Sequence, residues 1–97
     1  MGIVGSKPTI TRKELEGVLD CMIQDELTTG TTVKKLEAHC AQMSGTKFAL
    51  ATSSHTAAFH LAFTALDIAA GDEVIIPSFF SQSPLSALRL CGASPVL

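Results

Sequence analysis

Charge is scarce in this chain, and neither sign is in clear surplus. Only 16% of the 97 residues are Asp, Glu, Lys or Arg, and seven basic against nine acidic residues leave a net charge of -2. Binding to a phosphate backbone is driven by counterion release at a basic surface, so this balance argues against nucleic acid as a partner. Cysteine is sparse too. Cys21, Cys40 and Cys91 are odd in number, widely spaced and in no C-x-x-C pair. That usage speaks against a disulfide framework or a zinc site and for a reducing, cytoplasmic setting. The neighbours His39 and Cys40 would point about 100° apart on a helix, one outward and one inward.

Long apolar runs are also missing. The longest uncharged stretches still contain Thr, Ser, Gly or Pro, so nothing reads as a membrane span of about 20 apolar residues. No cationic start leads into a long apolar core, so no signal peptide is read. Met1-Gly2-Ile3-Val4-Gly5-Ser6 fits the short N-myristoylation pattern, yet a single acyl chain anchors only marginally, and the start is taken as that of a cytoplasmic protein. What the chain does have is apolar mass: 46% hydrophobic residues and a mean hydropathy of +0.36. This excludes a disordered tail. A domain so small leaves much of its surface in water, so such a composition calls for covering by further chain or by a partner.

The periodicity predicts the elements. Thr11 with Glu14 forms a capping box, and Leu15, Val18, Leu19, Met22 and Ile23 follow at helical spacing, giving a helix over residues 11–24. A hydroxyl-rich loop, Leu27-Thr28-Thr29-Gly30-Thr31-Thr32, leads to a second helix from about Val33 to Gly45. Residues 48–52 read as a buried strand, residues 57–66 as a helix apolar nearly all round, and residues 73–77 as a second buried strand. Ser83-Pro84 opens a helix that Gly92 ends, and Ser94-Pro95-Val96-Leu97 begins a third strand. The class is α/β, with two leading helices and then β-α-β-α-β in parallel pairing. Residues 1–45 form a leading helical segment and residues 46–97 the start of a parallel sheet, the front of a longer protein.

In open α/β sheets ligands bind beyond the carboxyl ends of the strands. Two segments fall there, Ser53-Ser54-His55-Thr56 and Ser78-Phe79-Phe80-Ser81-Gln82. The first enters a helix, so Ser54, His55 and Thr56 offer free N–H groups and a positive dipole end suited to phosphate. An ordinary Ser N-cap is the plainer reading of the same residues.

The string Ala51-Thr52-Ser53-Ser54-His55-Thr56-Ala57-Ala58-Phe59-His60-Leu61-Ala62-Phe63, followed by Gly71-Asp72-Glu73-Val74-Ile75-Ile76-Pro77-Ser78-Phe79, resembles the DegT/StrS-type sugar-nucleotide aminotransferases. Lys7-Pro8, Leu27-Thr28-Thr29-Gly30, Glu37 and Cys91-Gly92-Ala93-Ser94-Pro95-Val96 agree in order, so the likeness covers essentially the whole chain. The resemblance implies the aspartate-aminotransferase-like (type I) fold, truncated here, and pyridoxal 5'-phosphate (PLP) as cofactor. The implied activity is transfer of an amino group from Glu or Gln to a nucleotide-linked keto sugar. By the same resemblance, the main-chain amides of His55 and Thr56 and the Thr56 hydroxyl would hold the cofactor phosphate, with Ser54 beside them. Gly often stands in the family where this chain has His55, so His55→Gly is expected to be nearly silent. His60 is read as a core histidine.

After Pro-Ser-Phe the family has Thr and then an aromatic that stacks on the cofactor ring. Here Phe80 and Ser81 stand there, so either Phe80 turns inward or the ring has another neighbour, while Phe79 is read as core. The resemblance also implies a two-fold homodimer, with Thr28, Thr29 and Gly30 near the substrate. It places the Schiff-base lysine and the acidic partner of the pyridine nitrogen outside this chain, since Lys7, Lys13, Lys34, Lys35 and Lys47 follow no family lysine motif. The chain alone is therefore expected to be inactive. A truncated remnant or a small non-catalytic interaction module is the alternative, and transaminase and dehydratase subtypes are not distinguished.

Overall fold

The computed structural model describes residues 6–97; the myristoylation pattern falls on residues outside these, apart from Ser6. The chain divides into two compact units, one reaching to Ala49 and the other running Leu50–Leu97.

In the first unit, α1 spans Arg12–Ile23 with Thr11 as its N-cap. The capping box is formed as the sequence predicts. Thr11 Oγ1 accepts from the Lys13 N–H at 3.3 Å, and the Glu14 carboxylate accepts from the Thr11 N–H at 2.6 Å. Helix α2 spans Thr31–Ser44, starting two residues before the Val33 that the apolar pattern marks. Its N-cap, Gly30, has no side chain, and the Glu26 carboxylate instead ties down the two threonine hydroxyls of the first turn. The Glu26 carboxylate accepts from Thr31 Oγ1 at 2.7 Å and from Thr32 Oγ1 at 3.4 Å. Gly45 ends α2 in the left-handed region, φ +64, where a β-carbon is costly. No residue of α1 or α2 is fully buried, although Leu15, Val18, Leu19, Met22, Leu36 and Met43 keep the helical spacing of a core face.

Two carboxylates, exposed Glu14 and half-buried Glu26, are thus tied to helix starts. Hydrogen bonds from the Thr11 hydroxyl and backbone lower the Glu14 pKa, and the Thr31 hydroxyl foremost lowers that of Glu26. A carboxylate with a depressed folded pKa contributes stability that is present above its unfolded value, about 4.3, and is lost as pH falls through the lower folded value. Protection of the amides at residues 31–34 of the full-length protein, corrected for the intrinsic pH dependence of exchange, is therefore expected to fall below about pH 4, and Glu26→Gln should flatten that dependence. A profile identical in wild type and variant would contradict this tie between Glu26 and the start of α2.

The second unit contains α3 (His55–Ala65), β1 (Glu73–Ile75), α4 (Ser83–Cys91) and β2 (Ser94–Val96). Strands β1 and β2 pair in parallel, Glu73 opposite Ser94 and Ile75 opposite Val96, with Ile76 N–H to Val96 C=O at 2.8 Å extending the ladder. The β-α-β crossover is thus as predicted. The strand expected at residues 48–52 is not formed, so the observed order after the leading helices is α-β-α-β. A strand exists through its ladder, and the sheet among the described residues is the two-stranded β1-β2 pair.

Helix α3 packs against α4, and the core lies at α4: Ala87 and Leu88 are 0% exposed, with Pro84 and Ala93 also buried. Burying a leucine fully is worth about 1.5–3 kcal/mol. Helix α4 begins one residue earlier than expected, with Gln82 at the cap and Ser83 already helical. Gly92 ends it at φ +79, and a β-carbon there would meet Ala70 at 3.4 Å. Two expectations of burial are corrected. Helix α3 is not covered all round, since Leu61 is exposed, and in β1 only Val74 is half-buried. Packing on one helix and one neighbouring strand leaves the other faces open.

Candidate functional site

The site is built from the two segments beyond the strand ends, both in the second unit. Ser54 is the N-cap of α3, in extended backbone. Its Oγ accepts from the Ala57 N–H at 3.1 Å, its C=O accepts from the Ala58 N–H at 3.0 Å, and the Thr52 hydroxyl donates to that same carbonyl at 3.0 Å. The plain N-cap reading of Ser54 is therefore realised, and these bonds fix the entry of the chain into the helix. The next two N–H groups, of His55 and Thr56, have no acceptor among the described residues. They lie at the positive end of α3, whose first turn holds no acidic residue. Two free N–H donors, the Thr56 hydroxyl and the absence of a competing carboxylate form a donor set that fits a phosphate group. Ser54 and His55 are exposed and Thr56 is half-buried.

The backbone question at His55 has a clear answer. Among the described non-glycine residues, positive φ occurs at Asp25 and Asp67; His55 is helical. A histidine there presents its N–H as glycine would, without strain.

The second segment contributes Phe80. After β1 the chain bends at residues 78–80, which turns the two phenylalanines apart. Phe79 is 98% exposed, correcting its reading as core, whereas Phe80 is 57% exposed and meets α3. Its ring centroid lies 6.5 Å from Phe59 in an edge-to-face arrangement and 6.5 Å from the His55 ring. His55 and Phe59 stand 4.8 Å apart, and Phe59 and Phe63 5.7 Å. Residues 55, 59 and 63 are spaced i, i+4, i+8, so the rings form one stripe along the helix. The strand ends open into a cavity of about 200 Å³ lined by Ser78, Phe80, Ser81 and Leu97. An apolar hollow of about 230 Å³ lies between Phe59, Phe63, Val74 and Phe80.

The structure thus brings Ser54, His55, Thr56 and Phe80 together. Thr28, Thr29 and Gly30 belong to the first unit, in the turn before α2. His60 is half-buried at mid-helix, its carbonyl accepting from the Thr64 hydroxyl at 2.8 Å. Lys7, Lys13, Lys34, Lys35 and Lys47 are all exposed. Sequence reasoning missed Phe59, which touches both His55 and Phe80, although its i, i+4 spacing from His55 could have shown it. It also missed Glu26.

Solved structures that share this fold are PLP aminotransferases. A protein assigned as a sugar aminotransferase, from Streptococcus pneumoniae, in its PLP form, is 33% identical over 99% of this chain and 24% of its own, with a TM-score of 0.88. The aminotransferase of Psychrobacter cryohalolentis is 32% identical over 92% of this chain and 23% of its own, TM-score 0.83. DesV of S. venezuelae is 31% identical over 87% of this chain and 24% of its own, TM-score 0.71. The chain spans about a quarter of the length of these proteins. The DegT/DnrJ/EryC1/StrS aminotransferase family matches residues 8–97, and the chain belongs to that family. The cofactor of the family is PLP, and the S. pneumoniae protein is known in both PLP and PMP forms.

Proposed function

We propose that these residues are the amino-terminal part of the large cofactor-binding domain of a PLP-dependent aminotransferase. Residues 1–45 would be its leading helical segment and residues 46–97 the start of its parallel sheet. The reaction is transfer of an amino group from Glu or Gln to a nucleotide-linked keto sugar, in a cytoplasmic homodimer. The observation that carries the reading is the pair of free N–H groups at His55 and Thr56, at a helix start beside an aromatic ring, in a chain of this family. The His55 and Thr56 N–H groups and the Thr56 hydroxyl donate to the phosphate oxygens. Ser54, held by Thr52 and by the two amides it caps, orients them. Phe80, at the hollow beyond the strand ends, would serve as an aromatic neighbour of the cofactor ring and shield it from water. Thr28, Thr29 and Gly30 border the substrate. When bound, the cofactor supplies the carbonyl that accepts the amino group and the electron-withdrawing ring that makes the transfer possible. The lysine that would anchor it lies outside residues 1–97, so the 97-residue chain alone is inactive.

The test is expression of the complete reading frame that contains this chain. The protein should purify with bound PLP, lose its absorption band on addition of Glu or Gln, and aminate a nucleotide-linked keto sugar. A frame that stops at Leu97 and yields a protein taking up no PLP would favour a non-catalytic remnant.

A further inference from the structure

We infer that the imidazole of His55 is a positioning residue. It holds the Phe80 ring at the strand ends as the aromatic wall of the cofactor pocket, a position that Ser81 cannot fill. The inference rests on the reading of the α3 start as the phosphate cradle and adds a task for the His55 side chain, where that reading uses only its N–H.

The geometry separates the three side chains that follow Ser78. Phe79 points into solvent at 98% exposure, Ser81 has no ring, and Phe80 alone of the three makes ring contacts with α3. One neighbour would leave a half-exposed ring free to swing. Phe80 has two, Phe59 edge-to-face and His55 tilted at 55°, each at 6.5 Å. His55 is itself seated on Phe59 at 4.8 Å, so the three rings close a triangle. His55 is also the residue whose N–H belongs to the cradle, which couples the position of the ring wall to that of the phosphate site.

A catalytic base is oriented by a second polar group that holds its other nitrogen. The contacts of the His55 ring among the described residues are aromatic, so packing is the role this geometry supports. Glycine at this position would keep the N–H and lose the wall. The sequence-based expectation that His55→Gly is nearly silent therefore holds for the cradle and not for the ring.

The experiment uses the full-length protein, titrated with PLP and separately with inorganic phosphate, while the visible circular dichroism of bound PLP is recorded. His55→Ala is expected to weaken PLP binding about 2- to 10-fold, the scale of an aromatic pair, and to reduce the dichroism, with phosphate affinity unchanged. His55→Phe should restore both. Phe80→Ala should cause a similar loss, and adding His55→Ala to it should cost little more. Unchanged dichroism in His55→Ala, additive losses, or a His55→Phe protein no better than His55→Ala would overturn the inference while PLP and phosphate binding by the wild type leaves the cradle standing. A wild type that binds neither PLP nor phosphate would defeat the cradle, and this inference with it.

Discussion

Thr56→Ala in the full-length protein is expected to weaken PLP retention roughly 10- to 150-fold, the loss of one charge-assisted hydrogen bond worth about 1.5–3 kcal/mol. The argument begins at Ser54. Its side chain and carbonyl are already committed to the Ala57 and Ala58 N–H groups, so they define the helix start. The donors left for an anion are the His55 and Thr56 amides and the Thr56 hydroxyl. Alanine removes the hydroxyl and leaves both amides and the helix dipole in place. Turnover at saturating PLP should fall much less than affinity, because in the proposed cradle the lost bond would hold the cofactor and take no part in proton transfer. A cofactor titration followed by kcat at saturation checks this. A Thr56→Ala protein with unchanged affinity and collapsed turnover would mean that the hydroxyl acts in the chemistry and that the cradle assignment of Thr56 is wrong.

The 97-residue chain purified alone is expected to associate rather than behave as a well-packed monomer. Its buried hydrophobic residues among those described are Ala87, Leu88 and Ala93. Against these, Ile75 is 82% and Leu97 83% exposed, the first in β1 and the second directly after β2. A short parallel sheet with open edges and apolar side chains in water offers sites for further strand pairing and hydrophobic contact. Parallel sheets are ordinarily covered on both faces, and here α4 supplies most of the cover. Sedimentation and thermal melting provide the check. The expected result is a broad or absent transition and a size distribution above the monomer. A monodisperse monomer with a sharp cooperative melt would contradict it.

How much of the fold could be read from the residues follows from the range of the interactions. Helix α1 was legible at its start because Thr11 and Glu14 act within one turn of the chain they cap. The ends of α2 and α4 were legible at Gly45 and Gly92, where a left-handed residue is needed and glycine supplies it. The start of α2 was less so: Thr31 and Thr32 are poor helix formers, and what recruits them is Glu26, five and six residues upstream. The β1-α4-β2 unit was legible because a strand, a capped helix and a second strand in succession have one favoured handedness of return.

The residues alone determined the helix caps and stops, the parallel β-α-β crossover and the placing of Ser54, His55 and Thr56 at a helix start. Each is set by backbone preferences and hydrogen bonds within a few positions of chain. Tertiary structure decided that residues 48–52 form no ladder, because pairing depends on a distant partner and not on the apolar run itself. It decided that Phe79 faces water while Phe80 meets α3, because the bend after β1 sends adjacent side chains in opposite directions. It also brought the Phe80 ring to those of His55 and Phe59, from a segment more than twenty positions further along the chain. Burial and ring contacts are properties of what lies opposite a side chain, and a pattern of residue types carries only half of that information.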